Sequence, residues 1–212
     1  MLPLQQLSLG SLLFIVLLLL CILSNDAQSG ELPYNEVAYK KTLSVKADPS
    51  LVIKITKDLD KLSYEQLKVL ATIHDACKPY DMEDICMAIS YKESKLGKYL
   101  FNTITGDFGN MGINLKTFIN KKKLKLNYWG KKELASKLIT NDDLNIAVAI
   151  DNLKYWRKIT NDNWKIVIGS YNGGWTPNSG YVVSILSIKK ALKLYFRKHK
   201  DIREALKGKN YV

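Results

Sequence analysis

Helical periodicity from Pro49 almost to the end of the chain limits the fold more than any other feature of the sequence. It is clearest over residues 142–159, where apolar residues recur at the three- and four-residue spacing of one helix face. These residues are Ile146, Ala149, Ile150, Leu153 and Trp156. No segment shows a convincing alternation of apolar and polar residues, which is the pattern of a half-buried strand. The sequence therefore predicts a mainly α fold, with one domain over residues 49–200.

Other segments with helical spacing surround this one. Their approximate ranges are 51–59, 63–74, 81–96, 114–123, 164–170 and 181–198. Residues 102–112 contain three glycines and are predicted to form a loop. Residues 30–48 are polar and lack a sustained period, so they are predicted to be a linker, and residues 201–212 a C-terminal tail.

The amino-terminal region contains twelve consecutive apolar residues, 12–23. A helix that spans a bilayer needs roughly 20 apolar residues, so this run is short for a permanent anchor. It fits the apolar part of a secretory signal, and small residues such as Ala27 follow it. We expect an exported, periplasmic protein in which residues 1–29 are either a cleaved signal peptide or a short anchor. A retained anchor would associate with the inner membrane through residues 12–23.

Export changes what the cysteines can do. Cys77 and Cys86 are the two cysteines that follow the apolar run. An oxidising compartment allows them to form a disulfide, worth about 2–3 kcal/mol in the chain-entropy model. The alternative is a pair of buried thiols, and the sequence leaves both open.

The charge of the chain favours a polyanionic partner. The formal net charge is +12, from 32 basic and 20 acidic residues. Only three of the basic residues are arginine, the residue best suited to bidentate recognition of phosphates and bases, so a nucleic-acid partner is not expected. An acidic cell-wall polymer or an anionic lipid fits better. With two histidines in the chain, we expect no metal site and no cofactor.

Glu93 is an acidic residue on an apolar helix face. It lies eight residues after Ile85 and four after Ile89, near the end of its predicted helix. Partial burial and the negative end of the helix dipole both disfavour a charged carboxylate and raise its pKa. A carboxyl group that keeps its proton near neutral pH can act as a general acid. The alternative is a structural glutamate paired with a basic side chain.

Four motifs follow one another along the chain. They are Glu93-Ser94, the glycine-rich run 106–113 with Gly109-Asn110-Met111-Gly112, the pair Asn145-Ile146, and Ser170-Tyr171-Asn172-Gly173-Gly174. Over roughly residues 70–190 this order resembles the lysozyme-like domain of soluble lytic transglycosylases, glycoside hydrolase family 23. That family has Glu-Ser, a Gly-Leu-Met-Gln loop, an Asn-Ile pair and Ala-Tyr-Asn-x-Gly. The resemblance implies a lysozyme-like (goose-type) single domain over residues 49–200.

The resemblance also implies a reaction and a set of site residues. An exported lytic transglycosylase cleaves the bond between N-acetylmuramic acid and N-acetylglucosamine in peptidoglycan strands and leaves a 1,6-anhydro end. Glu93 would be the general acid and then the base. Tyr171 would orient the acetamido group or polarise Glu93, Asn172 would tie its turn together, and Met111 would line the sugar groove. The other expected substrate contacts are Ser94, Phe108, Gly109, Asn110 and Trp175.

Two departures from the family pattern leave alternatives open. Gly112 stands where the family has glutamine, and Ser170 stands where it has alanine. A lysozyme-like hydrolase and a catalytically silent peptidoglycan-binding module are the alternatives on the same fold. Nucleic-acid binding through lysine patches is a further alternative, which the export signal disfavours. Small members of the family often serve a secretion or conjugation apparatus, so such a partner is implied as well.

Overall fold

Ten helices and a small antiparallel sheet make up residues 34–207, the part of the chain that the computed structural model describes. The helices are α1 (Glu36–Ser44), α2 (Pro49–Leu59), α3 (Tyr64–Cys77), α4 (Glu83–Ser94), α5 (Leu115–Lys121), α6 (Tyr128–Thr140), α7 (Asp142–Ile159), α8 (Trp164–Gly173), α9 (Ser179–Lys198) and α10 (Lys200–Lys207). The strands are β1 (Phe101–Asn102), β2 (Asp107–Phe108) and β3 (Ile113–Asn114), and a 3₁₀ turn covers Lys78–Tyr80. The prediction of a mainly α fold is confirmed.

Asparagine side chains begin the helices around the glycine-rich region. Asn114, Asn141, Asn163 and Asn178 are the N-cap residues of α5, α7, α8 and α9, and each accepts a hydrogen bond from a backbone N–H of the first turn. Such a cap satisfies a donor that has no partner within the helix. The caps therefore fix where these four helices begin.

Helix α4 is buried on almost every side and packs against α3 and α9. Its buried residues are Ile85, Cys86, Met87, Ala88, Ile89, Ser90, Tyr91 and Ser94. Each large apolar side chain that is fully buried contributes about 1.5–3 kcal/mol relative to an exposed one. The surrounding core thus holds the last turn of α4 in place, and the Glu93 side chain extends from this turn.

The glycine-rich region is a sheet where the sequence predicted only a loop. Phe101 pairs with Phe108 between β1 and β2, and Phe108 pairs with Ile113 between β2 and β3. Each strand has two residues, too few to show an alternating pattern. Phe101, Asn102 and Asp107 of this sheet line a cavity together with Glu93, so the sheet borders the region around Glu93.

The prediction of a linker over residues 30–48 is wrong where the structure describes it. Glu36–Ser44 form α1, and Thr42 is buried and donates to the Pro177 carbonyl oxygen at 3.2 Å. Tyr34 packs edge-on against Trp175, with ring centroids 5.1 Å apart. This segment is therefore part of the domain.

The terminal predictions fall mainly outside the described residues. The expected signal or anchor over residues 1–29 lies wholly outside them and stays a prediction. Of the expected tail, residues up to Lys207 continue in α10. Within residues 34–207, none of the helices combines the length and the apolar character needed to cross a membrane.

Of the two alternatives for Cys77 and Cys86, the structure has the pair of buried free thiols and not the disulfide. A hydrogen bond with Cys77 and burial raise the pKa of the Cys86 thiol well above its ordinary value. Both cysteines belong to the hydrophobic core between α3 and α4.

Candidate active site

Glu93 lies between two neighbouring cavities. The larger has a volume of about 950 Å³ and the smaller about 290 Å³. Both are lined by Glu93, Asp107 and Gly112. A ligand that occupies both cavities would therefore pass directly over the Glu93 carboxyl group.

The environment of Glu93 favours its protonated form. Burial raises the pKa of this carboxyl, and the negative charge of Asp107 raises it further. Tyr181 donates a hydrogen bond to Glu93 Oε1 at 2.6 Å, which lowers the pKa, as does the charge of Lys92. The net direction is upward, because removing a carboxylate from water outweighs the other effects. This confirms the direction predicted from the apolar helix face.

Gly112 is the position where a side chain would displace Glu93. Its φ is +61°, in the left-handed region that favours glycine. A Cβ atom added there would lie 2.7 Å from both Cγ and Oε2 of Glu93. Glutamine, the residue that the family pattern has at this position, is therefore incompatible with the place that Glu93 occupies in this chain. Glycine at this position leaves room for the Glu93 side chain where it lies.

Asn145 ties the loop after β2 to helix α7. This buried side chain accepts a hydrogen bond from the Met111 backbone N–H at 2.8 Å and donates to the Phe108 carbonyl oxygen at 2.9 Å. A Cβ at Gly109 would collide with the Asn145 amide and the Leu138 carbonyl oxygen. Asn145, of the Asn145-Ile146 pair singled out in the sequence, thus holds the glycine turn in place.

Ser94 and Asn110 were expected to contact substrate, and the structure buries both. The Ser94 hydroxyl donates to the Asn110 carbonyl oxygen at 3.0 Å and accepts from the Gly97 N–H at 2.9 Å. The Asn110 side chain donates to Asp142 Oδ1 at 2.7 Å. Both residues connect the end of α4 to the loop instead of facing a ligand.

Met111 and Phe108 also lie away from the cavities. The Met111 side chain is fully buried in the core, so the prediction that it lines the sugar groove is wrong. Phe108 packs against the same core and is absent from the lining of both cavities. Gly109 lines the smaller cavity, and its contact with substrate stays a prediction.

Three predicted residues at the end of α8 line the larger cavity together with Glu93. They are Tyr171, Asn172 and Trp175. The Tyr171 hydroxyl donates to the Met111 carbonyl oxygen at 2.7 Å, so it holds the loop and does not bond to Glu93. Asn172 accepts from the Asn178 side chain at 2.8 Å, which ties the turn to α9. Trp175 packs edge-on against Trp156, with ring centroids 5.1 Å apart.

Tyr181 is the site residue that sequence reasoning missed. It is buried in the first turn of α9, where a tyrosine in an apolar helix is indistinguishable from an ordinary core residue. Burial and the charge of Glu93 raise the pKa of Tyr181 well above its ordinary value, so its hydroxyl remains a hydrogen-bond donor. Only the packing of α9 against α4 reveals that it meets Glu93.

This arrangement can transfer a proton. A carboxyl group whose pKa is raised by burial stands at the junction of two cavities, within reach of a ligand that spans them. When it loses the proton, the Tyr181 hydroxyl stabilises the carboxylate that forms. The same group is thus equipped to act first as an acid and then as a base.

Comparison with known proteins gives one match. The family model described as the transglycosylase SLT domain matches residues 71–182, slightly more than half of the chain. The matched range contains Glu93, the sheet, the glycine turn, Tyr171 and Tyr181. No curated protein and no solved structure gives a match.

Proposed function

Because the chain belongs to the transglycosylase SLT domain family, we propose that it is a lytic transglycosylase that cleaves peptidoglycan between N-acetylmuramic acid and N-acetylglucosamine. The product is a strand with a 1,6-anhydro end. The observation that carries this proposal is the position of Glu93, a partly buried carboxyl group with a raised pKa at the junction of two cavities. A glycan lying across that junction has sugars on both sides of the bond to be broken.

Glu93 acts twice in the proposed reaction. Its proton passes to the bridging glycosidic oxygen, which leaves with N-acetylglucosamine. The acetamido group of the muramic acid stabilises the positive sugar that remains. The Glu93 carboxylate, held by the Tyr181 hydroxyl at 2.6 Å, then takes the proton of the 6-hydroxyl group as that oxygen closes the anhydro ring. A single enzymic carboxyl group is sufficient for both steps.

Asp107 affects the pKa of Glu93 from a fixed position on the neighbouring sheet. Its two carboxylate oxygens accept hydrogen bonds from Thr105 Oγ1 and Asn114 Nδ2, so the group is fixed on the sheet. From there its negative charge raises the pKa of Glu93. The proton of Glu93 is therefore kept to a higher pH than in an isolated glutamate.

Hydrolysis by the same acid is the second candidate. Asp107 lines both cavities beside Glu93, which is a position from which a carboxylate can orient a water molecule. Water in place of the 6-hydroxyl group would give a lysozyme-like product with a reducing end. This product is heavier than the anhydro product by one water molecule.

An exported location is part of the proposal. Peptidoglycan lies outside the cytoplasm, and the apolar run 12–23 is typical of a secretory signal or a short anchor. The protein would then act on the wall from the periplasm. An experimental check is fractionation of cells that produce the full chain.

The test of the activity uses purified sacculi and mass spectrometry of the released fragments. We expect the wild type to release fragments with anhydro ends, and Glu93→Gln to release none. Glu65→Gln makes the same chemical change at an exposed residue of α3 and is expected to behave as the wild type. Fragments with reducing ends would favour the hydrolase, and equal release by Glu93→Gln would refute both candidates.

A further inference from the structure

The wall of the larger cavity includes two lysines that differ in their partners. Lys121 and Lys122 stand at the end of α5, opposite Asp151 and Asn152 of α7. Lys122 Nζ lies 3.5 Å from Asp151 Oδ2, so its charge has a carboxylate partner. Among the ion pairs of residues 34–207, none includes Lys121.

Neutral groups hold the Lys121 ammonium in place. Its Nζ donates to Asn152 Oδ1 at 3.3 Å and lies 4.3 Å from the centre of the Tyr155 ring. Tyr155 and Asn152 line the same cavity. Because the long side chain is already oriented, less conformational entropy is lost when an anion binds to it.

The position of Lys121 also strengthens its interaction with an anion. Burial lowers the pKa of Lys121, as does the charge of Lys122, whereas the charge of Asp151 raises it. Lys121 is an exposed residue, so its ammonium is only partly removed from water. A charge in such a place interacts with an opposite charge more strongly than it does at a fully hydrated surface. The larger cavity thus contains acidic side chains at Glu93, Asp107 and Asp151 and basic side chains at Lys121 and Lys122, of which Lys122 is paired with Asp151.

The proposed substrate supplies one kind of anion. The sugar rings of a peptidoglycan strand are uncharged, and its carboxylates are carried by the lactyl side chain of muramic acid or by the peptide attached there. We propose that Lys121 binds a carboxylate of this muramyl substituent. This inference rests on the proposed function, and it makes the cleft selective for strands whose substituents carry free carboxylates.

The test measures binding, so that it does not depend on cleavage. Full-length Glu93→Gln is titrated with soluble strands that carry peptides, and with the same strands after their carboxylates have been converted to neutral amides. We expect about tenfold weaker binding of the neutral strands, the size of one charge-assisted contact. A third sample, stripped of peptides by an amidase, carries free lactyl carboxylates, which are amide-linked in the peptide-bearing strands. Retained affinity shows that Lys121 also binds the lactyl carboxylate, and lost affinity restricts the site to carboxylates of the peptide.

Lys121→Met, added to Glu93→Gln, removes the charge and keeps an apolar side chain against Tyr155. It is expected to bind charged and neutral strands equally. The matched control is Lys154→Met, because Lys154 Nζ lies 3.5 Å from the Tyr80 ring centre and lines neither cavity. The control should keep the tenfold preference. The inference is overturned if Lys121→Met and Lys154→Met show the same preference.

The two proposals can fail separately. If wild type does not cleave sacculi but Glu93→Gln prefers charged strands through Lys121, the proposed reaction is wrong and the binding site stands. If sacculi are cleaved to anhydro ends while neutral and charged strands bind equally, the reaction stands and the Lys121 site is refuted. Absence of strand binding by every variant refutes the Lys121 site as well.

Discussion

Replacing Gly112 with alanine displaces the Glu93 carboxyl without removing any of its atoms. The added Cβ would lie 2.7 Å from Glu93 Cγ, about 0.8 Å closer than an optimal carbon–carbon contact of roughly 3.5 Å. The core around α4 holds the backbone, so the Glu93 side chain has to retreat by a similar distance. A misplacement of about 1 Å costs roughly 100-fold in rate. Alanine at φ +61° costs a further 1–2 kcal/mol, approximately, of folding free energy.

Gly106→Ala separates these two effects. Gly106 also has a positive φ, +75°, but the nearest atom to an added Cβ is Asn114 Nδ2 at 4.0 Å. Urea unfolding should show a loss of about 1–2 kcal/mol for both variants. Release of dye from labelled peptidoglycan should fall about 100-fold for Gly112→Ala and less than about twofold for Gly106→Ala. Equal rates for the two variants would refute the steric role of Gly112.

Three further outcomes follow from contacts of the site. Tyr181→Phe removes the hydrogen bond that lowers the pKa of Glu93, so the loss of activity with rising pH should move to higher pH in the profile of kcat/KM; an unmoved profile argues against this contact. Ser94→Ala leaves the Gly97 N–H and the Asn110 carbonyl without their hydroxyl partner. The free energy of unfolding in urea should fall by about 1–3 kcal/mol, and KM should not change. A raised KM with unchanged stability would show that Ser94 contacts substrate after all. Because the pKa of Glu93 is raised in the folded protein, its contribution to the free energy of unfolding is lost as the pH rises from the ordinary value of 4.5 through the folded value. The free energy of unfolding of Glu93→Gln should therefore increase relative to that of the wild type from acidic to neutral pH. A difference between the two proteins that stays constant with pH would show that Glu93 is not desolvated.

The sequence contains most of the fold where helices are long and strongly amphipathic. Helix α7 has the bounds predicted from its apolar spacing, Asp142–Ile159. Helix α1 was taken for a linker because residues 30–48 are polar and lack a sustained period. Thr42 is the buried residue of this helix, and it bonds to a distant part of the chain. The strands were missed because two residues carry no periodicity. Tertiary contacts therefore decide the elements that local patterns leave undetermined.

The site was only partly visible in the sequence. Glu93 was found because an acidic residue on an apolar helix face conflicts with its surroundings. Tyr181 was missed because a tyrosine in an apolar helix has the pattern of an ordinary core residue. Ser94, at the end of α4, and Met111, in the loop after β2, were misassigned because neighbouring residues point in different directions, and only the fold decides which of them face a cavity. The collision that excludes a side chain at Gly112 likewise exists only between segments brought together by folding.

Titration of the Glu93 carboxyl carbon by carbon-13 NMR tests most directly whether burial keeps this acid protonated. Glu93→Gln identifies its signal by loss. Burial beside Asp107 predicts a midpoint clearly above the ordinary value of 4.5, and a midpoint that rises further in Tyr181→Phe. A midpoint at or below 4.5 in the wild type would contradict the role of Glu93 as the proton donor.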